Sequence, residues 1–459
     1  MNTLTTKLLL ITVSFFFLSC NTKKDQIPWV DLITDSSLKG WTIIGGEATY
    51  TVEDGVITGT TKANTPNTFL TTDKVYGDFI FEIEYKVDST MNSGIQIRSN
   101  SLPYYRDGMV HGYQIEIDPS KRAWSGGIYD EKRRKWLHTL ENNPEAQKAF
   151  KQNEWNHYRV EAIGDTIKTW INNVPASYLI DDKTASGFFG LQVHSIKNKD
   201  KQGTQVMWKN AKILTENLSK YAKKSPLKPI VTKNNLTVSE QKSGWKMLWD
   251  GKTTNGWRGA KLDKFPDQGW SIANGELIVA DTGGAESEAG GDIVTMQDYS
   301  NFELLVDFKL SPGANSGIKY YVDTEINKGP GSSIGLEYQI LDDALHEDAK
   351  RGSYEGSRTV CSLYDLIKAR PDKPVKAIGE WNTAYIKSID NHVEHWINDV
   401  KVLEYERGSD AFLKLVSGSK YKKWPNFGVL EKGQILLQDH GDEVAFRNIK
   451  IKVPKVKKQ

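Results

Sequence analysis

Two halves of the 459-residue sequence repeat the same short motifs in the same order. Such internal repetition indicates two copies of one domain, with differing loop lengths between the motifs. Four motifs carry the repeat: Asn-Ser-Gly-Ile at 92–95 and 315–318 (offset 223), Glu-Trp-Asn at 154–156 and 380–382 (offset 226), Trp-Ile-Asn at 170–172 and 396–398 (offset 226), and Leu-Gln-x-His at 191–194 and 437–440 (offset 246).

The repeat predicts domains at 28–217 and 243–459, joined by an exposed Lys-rich linker at 218–242. Within each copy, apolar residues alternate with polar ones, as at 79–87 and 302–310, which is typical of half-buried antiparallel strands. Turn motifs are frequent and long helical patterns are rare. We therefore predict an all-β chain of two tandem jelly-roll β-sandwich domains.

Composition excludes several classes of function. The 60 Lys and Arg residues nearly balance the 58 Asp and Glu residues, so the net charge of +2 argues against a nucleic-acid binder. Hydrophobic residues make up 38 % of the chain, enough for ordinary folded cores. The sequence contains no P-loop, no Gly-x-Ser-x-Gly motif and no paired-Cys zinc motif.

The first 20 residues have the pattern of an export signal, with Lys7 followed by an apolar run at 8–18. Leu18-Ser19-Cys20 resembles the lipobox of bacterial lipoproteins, although Phe17 replaces the usual Leu. We expect lipid attachment at Cys20, a tether at 21–27, and a periplasmic or outer-membrane location in the cell envelope. The lipid would be the chain's only contact with the membrane. A plain secretory signal is the alternative interpretation.

Polar side chains of unusual type share one face of several predicted strands. Strand parity predicts that the two copies each present amides, a carboxylate, a cation and an imidazole, which can supply an acid, a base and anion stabilisation. A solvated outer sheet face is the alternative interpretation. The first copy presents Gln96, Arg98, Gln114, Glu116, Gln192 and His194, and the second presents Lys319, Tyr321, Glu337, Gln339, Gln438 and His440.

Other candidates lie in loops. Arg122, Trp124 and Tyr129 are predicted either to line the rim of a pocket or to pack at the edge of the sandwich. Trp136 and Trp424 are candidate rim aromatics that could stack on a sugar. The run at 346–348, His-Glu-Asp, is a weak candidate for metal binding.

At these motifs the chain resembles the 3-keto-disaccharide hydrolase domain family. The resemblance implies a concanavalin-like jelly roll, action on a small glycoside or disaccharide oxidised at C3, and a functional link to a sugar 3-dehydrogenase. It also adds Asp439, within the Leu-Gln-Asp-His-Gly motif, to the candidate substrate-binding residues. The matching segments are 92–98, 111–118, 125–130 and 190–194 in the first copy, and 315–321, 335–342, 363–365, 379–382, 395–398, 437–441 and 446–449 in the second.

The two copies depart from each other at their carboxylates. Gln114-x-Glu116 in the first copy corresponds to Glu337-x-Gln339 in the second, and Tyr321 replaces Arg98. The two sites therefore differ in preference, or one of them is inactive.

A 3-keto sugar suggests a mechanism that needs one base. The carbonyl acidifies the C2 proton, and the resulting enolate expels the C1 substituent, with or without later addition of water. We predict Glu116 and Glu337 as bases or metal ligands, and His194 and His440 as groups that exchange protons with the leaving oxygen. The opposite assignment of the Glu and His roles stays open, because the sequence gives no distances. Arg98 or Lys319, or a bound divalent metal ion, would stabilise the enolate.

Two other functions remain open. A non-catalytic carbohydrate-binding lipoprotein would bind unmodified glycan without turnover, since jelly rolls host lectins as readily as enzymes. A conventional glycoside hydrolase would cleave unoxidised sugars, normally with two carboxylates.

Overall fold

The computed structural model describes residues 27–34, 37–287 and 290–454. The predicted signal peptide, Cys20 and most of the tether lie outside these residues. The described chain folds into two β-sandwiches, which confirms the predicted all-β jelly-roll class. None of its helices has the length and apolar character needed to cross a bilayer.

The first sandwich is built from fifteen strands and one short α-helix. Its two 3₁₀ helices span Arg106–Gly108 and Lys199–Lys201. The elements are β1 (Val30–Asp31), β2 (Trp41–Gly45), β3 (Thr49–Glu53), β4 (Val56–Thr60), β5 (Thr68–Thr72), β6 (Phe79–Val87), β7 (Ser93–Asn100), β8 (His111–Ile117), β9 (Ile128–Glu131), β10 (Lys135–His138), α1 (Pro144–Ala149), β11 (Asn156–Ile163), β12 (Thr166–Ile171), β13 (Val174–Ile180), β14 (Phe188–Val193) and β15 (Gln205–Leu214).

A connecting segment and the second sandwich follow. The connecting segment holds α2 (Leu218–Tyr221), β16 (Ile230–Val231) and α3 (Val238–Lys242), and the second sandwich has 3₁₀ helices at Glu347–Lys350 and Lys420–Lys423. Its other elements are β17 (Trp245–Met247), β18 (Trp257–Gly259), β19 (Trp270–Ala273), β20 (Glu276–Val279), β21 (Ile293–Thr295), β22 (Phe302–Leu310), β23 (Asn315–Asp323), β24 (Ile334–Leu341), β25 (Asn382–Ile389), β26 (His392–Ile397), β27 (Val400–Glu406), α4 (Asp410–Gly418), β28 (Gln434–Leu437) and β29 (Val444–Lys452).

Each sandwich packs a larger sheet against a smaller one. In the first, the sheet β16-β13-β12-β11-β6-β15-β4-β3 faces the sheet β10-β9-β8-β7-β14-β5-β2. In the second, β19-β20-β29-β22-β25-β26-β27 faces β18-β21-β28-β23-β24. Alternate residues of β6 and β22 are fully buried between the sheets, as period-two patterning requires. The smaller sheets carry the predicted polar faces.

The connecting segment keeps most of its lysines exposed, as a linker would, but it also makes specific contacts with the sandwiches. β16 pairs in parallel with β13 and so extends the larger sheet of the first sandwich. Thr237 caps α3, and the Glu240 carboxylate accepts hydrogen bonds from Lys450 Nζ at 2.9 and 3.0 Å within the second sandwich. The segment therefore attaches to both sandwiches, because its few apolar and capping residues find partners on each.

Direct contacts also join the two sandwiches. The Arg447 guanidinium donates to both carboxylate oxygens of Asp182 at 2.7 and 3.0 Å. Lys183 Nζ donates to Thr383 Oγ1 at 2.8 Å. Tyr105 of the first half is buried in the hydrophobic core of the second. The relative position of the two halves thus depends on ionic and apolar contacts as well as on the chain connection.

The buried pair Lys450–Glu240 gives a test of this attachment. Lys450→Met leaves the Glu240 carboxylate buried without its cation, so we expect a loss of about 3 kcal/mol in the free energy of unfolding, measured by urea denaturation. The matched control is Lys452→Met, which removes a more exposed pair with Glu303 and should cost about 1 kcal/mol or less. Equal losses in the two variants would show that α3 is not held by this pair.

Candidate functional site

The smaller sheet of each sandwich presents a polar basin to solvent. Pairing of neighbouring strands places Gln96 opposite Gln114 in the first basin and Lys319 opposite Glu337 in the second. Gln96 and Gln114 therefore occupy the same sheet positions as Lys319 and Glu337. It follows that Glu116 corresponds in position to Gln339. The central carboxylate of the first basin therefore lies two positions further along its strand than the central carboxylate of the second basin.

The first basin is a cavity of about 360 Å³ on strands β8, β9, β10 and β14. Its lining consists mainly of amides, carboxylates and cations, with two aromatic rings at the rim. The lining residues are Asn67, Asn92, Gln114, Glu116, Arg122, Tyr129, Glu131, Lys132, Trp136, Gln192, His194 and Ser195.

Glu116 is the central acid of the first basin. Asn92 Nδ2 donates to one of its oxygens at 2.7 Å, and Gln114 Nε2 donates to the other at 2.9 Å. Arg122 lies 3.6 Å from the carboxylate but forms its closer ion pair with Asp118, at 2.7 Å. Burial nevertheless raises the pKa of Glu116 to about 7, because desolvation outweighs these contacts. A carboxyl group with such a pKa can take or give a proton near neutral pH.

His194 and Gln192 offer free hydrogen-bonding groups to a ligand. His194 Nδ1 lies 2.8 Å from the carbonyl oxygen of Ser195, so Nδ1 donates this hydrogen bond and Nε2 remains available to a ligand. Both side-chain amide atoms of Gln192 are buried without a partner among the described residues. Buried polar atoms are normally satisfied, so this amide indicates a bound ligand or water.

The rim of the first basin combines Arg122 with aromatic rings. The Arg122 guanidinium lies 4.6 Å from the ring of Trp124 and 4.9 Å from that of Trp136. The rings of Trp136 and Tyr129 meet edge to face at 5.2 Å. Trp124 is buried behind the guanidinium, so it supports Arg122 rather than lining the cavity.

The second basin is a cavity of about 260 Å³ on strands β23, β24 and β28. Its floor resembles that of the first basin, but loops and the 3₁₀ helix Lys420–Lys423 enclose it further. The lining residues are Glu286, Asn315, Lys319, Asn327, Pro330, Gly331, Ser332, Ile334, Glu337, Gln339, Tyr364, Lys420, Tyr421, Lys423, Trp424, Gln438 and His440.

Lys319 and Glu337 form a buried ion pair on this floor. Lys319 Nζ lies 3.6 Å from Glu337 and also donates to Ser332 Oγ, which in turn donates to Asp292. Burial opposes the charge of Lys319, but the carboxylates of Glu337 and Asp292 raise its pKa above the usual value. Burial raises the pKa of Glu337 against the opposing effect of Lys319. The floor thus holds the charged ammonium group of Lys319 next to the Glu337 carboxyl group, which takes up a proton more readily than usual.

His440 lies at one end of the second basin, close to His346 and Asp442, whose side chains can also bind a metal ion. His346, His440 and Asp442 each bring one ligand atom to within 4.8 Å of the other two. His440 Nδ1 is buried without a hydrogen-bond partner among the described residues, and it lies 3.9 Å from Asp442. Burial, and then the neighbouring His440, lower the pKa of His346, which keeps that imidazole neutral. This donor set fits a divalent cation. His346 therefore lies near the site, whereas Glu347 and Asp348 of the same run are outside the group.

Two sequence-predicted residues lie away from the basins. A register shift follows Ile97 and Tyr320, and Arg98 and Tyr321 adopt positive φ angles of 45° and 52°. Such a bulge reverses the alternation of side chains. The Arg98 guanidinium consequently donates hydrogen bonds away from the first basin, to Gly77, Gly164 and Asp78. The hydroxyl of Tyr321 forms a hydrogen bond with Ser388 in the core of the second sandwich. The expected enolate-stabilising role of Arg98 is therefore corrected.

Asp439 and Gln96 have supporting positions. Asp439 is fully buried, and its carboxylate accepts hydrogen bonds from the backbone of Gly290, Gly291 and Gly441, so it holds loops together. Gln96 lies beneath the cavity and donates to Gln114 at 2.6 Å. Glu116, His194, Gln114, Gln192, Arg122 and Tyr129 line the first basin, and Glu337, His440, Lys319, Gln339 and Gln438 line the second.

Sequence reasoning missed several lining residues that come from loops and edges. Glu131 shares strand parity with Tyr129, and Asn92 recurs as Asn315, so both had a detectable signal. Tyr364 belongs to the family-matching segment 363–365, whereas Glu286 had no signal, because its segment reaches the basin only through tertiary contacts. Glu131 and Glu286 give each basin a second carboxylate.

Comparison with known proteins identifies related sequences. The profile of the 3-keto-alpha-glucoside-1,2-lyase-like domain family matches residues 28–214 and 244–452. A protein of Bacteroides thetaiotaomicron named 3-keto-disaccharide hydrolase is 38 % identical over 240 residues, covering 48 % of this chain and 82 % of that relative.

Solved structures resemble single halves of the chain. A crystal structure from Parabacteroides distasonis is 29 % identical and covers 49 % of this chain and 100 % of its own, with a TM-score of 0.43. A carbohydrate-binding module from Bacillus subtilis is 18 % identical and covers 38 % of this chain and 93 % of its own, with a TM-score of 0.26.

The raised pKa of Glu116 predicts a pH dependence of stability. Between pH 4.5, the unperturbed value, and about 7, the folded state holds this proton more tightly than the unfolded state, so stability falls as pH rises. Glu116→Gln removes this contribution. Relative to wild type, the variant's free energy of unfolding should therefore rise by about 3 kcal/mol from pH 4.5 to pH 8, measured by chemical denaturation.

The exposed Glu154→Gln serves as the control, and its difference from wild type should not change with pH. Parallel pH profiles for wild type and Glu116→Gln would contradict the raised pKa.

Proposed function

Since the chain belongs to the 3-keto-alpha-glucoside-1,2-lyase-like domain family, we propose that it cleaves the glycosidic bond of 3-keto-glycosides, including 3-keto-disaccharides. The observation that carries this proposal is the carboxyl group of raised pKa on the floor of each basin, Glu116 and Glu337. Each lies among amides and an imidazole that can bind a sugar and exchange protons.

The proposed reaction is a β-elimination. The base removes the C2 proton, and the electrons of that C–H bond form the enolate of the C3 carbonyl. The enolate then forms the C1–C2 double bond, the C1–O bond breaks, and the leaving oxygen takes a proton. Addition of water to the product would return the free 3-keto sugar, so that the overall reaction is a hydrolysis.

In the second basin, Glu337 is the proposed base and His440 the proposed proton donor to the leaving oxygen. Lys319 supports the enolate oxygen because its charge is maintained by Glu337 and Asp292. In the first basin, Glu116 and His194 take the corresponding roles, and Arg122 supplies the cation in place of Arg98.

A conventional glycoside hydrolase is the second candidate function. The presence of Glu131 in the same cavity as Glu116, and of Glu286 in the same cavity as Glu337, favours it, because such enzymes use two carboxylates. The two candidates differ in the substrate that they turn over, since only the elimination requires a C3 carbonyl.

Conservative substitutions at the proposed bases test the assignment. Glu337→Gln and Glu116→Gln should each lower turnover in their own basin by about 10²- to 10⁴-fold, because the amide cannot accept the C2 proton. The measurement is release of the leaving group from a 3-keto-glucoside by the single and double variants. Glu286→Gln and Glu131→Gln are the matched controls and should have smaller effects.

Full activity in the double variant would refute the assignment. Turnover of the unoxidised glycoside, lost in the control variants, would instead support the conventional hydrolase. Saturable glycan binding with no turnover of either substrate would support a carbohydrate-binding protein.

As an alternative to His440 acting as the proton donor, we propose that His346, His440 and Asp442 bind a divalent cation, which would act as a Lewis acid toward a substrate oxygen. Chelation should then lower turnover, and one divalent ion should restore it. His346→Ala should weaken binding of that ion in calorimetry, whereas His392→Ala, in the cluster with Glu394 and Glu404 on the larger sheet, should not. Turnover that is insensitive to chelation, with no calorimetric binding, would exclude the cation.

The cellular setting is also a proposal. An export signal and lipidation at Cys20 would place the protein in the periplasm or at the outer membrane. A sugar 3-dehydrogenase would supply the keto substrate, because the reaction proposed for the two basins requires a C3 carbonyl and does not form one.

A further inference from the structure

The two basins share a floor but differ in their walls. The offset between repeat motifs rises from 226 to 246 between the Trp-Ile-Asn and Leu-Gln-x-His motifs, so the second half carries about 20 additional residues there. These residues lie between β27 and β28 and form α4 and the 3₁₀ helix Lys420–Lys423. We call residues 410–424 the wall insertion. In the first half, β13 is followed directly by a short loop and β14.

The wall insertion is anchored to the second sandwich. Phe412 is buried and its ring stacks on Tyr405 at 5.7 Å, while Tyr421 stacks on Phe427 at 4.1 Å. The Ser409 and Ser419 side chains accept hydrogen bonds from the first turns of the two helices. The insertion therefore presents its side chains to the basin from a fixed position.

Two lysines and two aromatic residues of the insertion line the basin. They are Lys420, Tyr421, Lys423 and Trp424. Lys420 Nζ lies 4.4 Å from the ring of Tyr364, and Lys423 Nζ lies 5.1 Å from that of Trp424. Neither ammonium group forms an ion pair with a carboxylate in the described part of the chain.

The cationic side chains that line the first basin each form an ion pair with a carboxylate. Arg122 pairs with Asp118 and Glu116, and Lys132 lies 3.5 Å from Glu131. On the floor of the second basin, Lys319 is likewise paired with Glu337. Among the lining cations of the described residues, Lys420 and Lys423 of the wall insertion are therefore the ones without an ion pair, although the charge of Lys420 also acts on Glu337. The part of the substrate beyond the reacting sugar would contact this wall.

We propose that the wall insertion selects 3-keto-glycosides whose leaving group is a ring that bears a carboxylate. Lys420 and Lys423 attract the negative charge, and the half-buried ring of Trp424 stacks on the leaving group. This inference rests on the proposed function of the second basin. The first basin has no equivalent wall and should not discriminate in this way.

The test compares a 4-carboxyphenyl 3-keto-glucoside with its neutral 4-carbamoylphenyl analogue. In a Glu116→Gln background, which leaves the second basin as the reacting one, kcat/KM should favour the carboxylate about tenfold or more, and added salt should reduce this preference. Lys420→Met/Lys423→Met should abolish the preference, while Lys420→Arg/Lys423→Arg should retain it. Lys422→Met, on the same 3₁₀ helix but outside the basin lining, is the matched control.

Calorimetric binding of 4-hydroxybenzoate provides a readout that does not depend on turnover. Binding should weaken about tenfold in the double Met variant and should exceed that of 4-hydroxybenzamide in the wild type. Turnover of both glucosides at equal rates, or equal binding of the acid and the amide, overturns the inference alone. Failure to turn over either glucoside, with selective binding of the acid retained, would refute the proposed function and leave the anion selectivity in place.

Discussion

The basins depend on one steric constraint, which is that the strand beside Gln114 in the first basin and beside Glu337 in the second must contain a glycine. A Cβ atom on Gly317 would lie 2.5 Å from Glu337 Oε1, and one on Gly94 would lie 2.4 Å from Gln114 Cδ. Both glycines belong to the repeated Asn-Ser-Gly-Ile motif. Their lack of a side chain lets the neighbouring long side chain lie across the sheet, and this position makes it both buried and accessible to a ligand.

That placement has electrostatic consequences. A carboxyl group on the sheet surface at the bottom of a basin loses hydration, so burial raises the pKa of both Glu116 and Glu337. The two copies then stabilise their acids differently. Amides and Arg122 surround Glu116, whereas Lys319 lies directly beside Glu337. Because Glu and Gln exchange equivalent positions, Glu116 lies near Arg122 whereas Glu337 lies near Lys319. The duplication therefore provides two related but distinct sites.

The attachment of the two sandwiches adds a level of organisation beyond the repeat. β16 extends a sheet of the first sandwich, while Glu240 a few residues later is held by Lys450 of the second. Asp182 and Arg447 join the sandwiches directly. These contacts fix the orientation of the halves, so the two basins remain separate sites on one molecule.

The sequence alone determined the fold class and the floor of each basin. Alternation in β-strands is a local property, so parity correctly grouped Gln114 with Glu116 and Glu337 with Gln339. Tertiary structure decided what interrupts or encloses that pattern. Positive φ angles at Arg98 and Tyr321 reversed their parity, and loops distant in sequence placed Glu286, Tyr364 and the wall insertion around the second basin. Asp439 became a structural acceptor because Gly290 and Gly291 meet it only after the chain has folded. Local periodicity cannot predict such contacts, since they depend on which segments distant in sequence pack together in the folded chain.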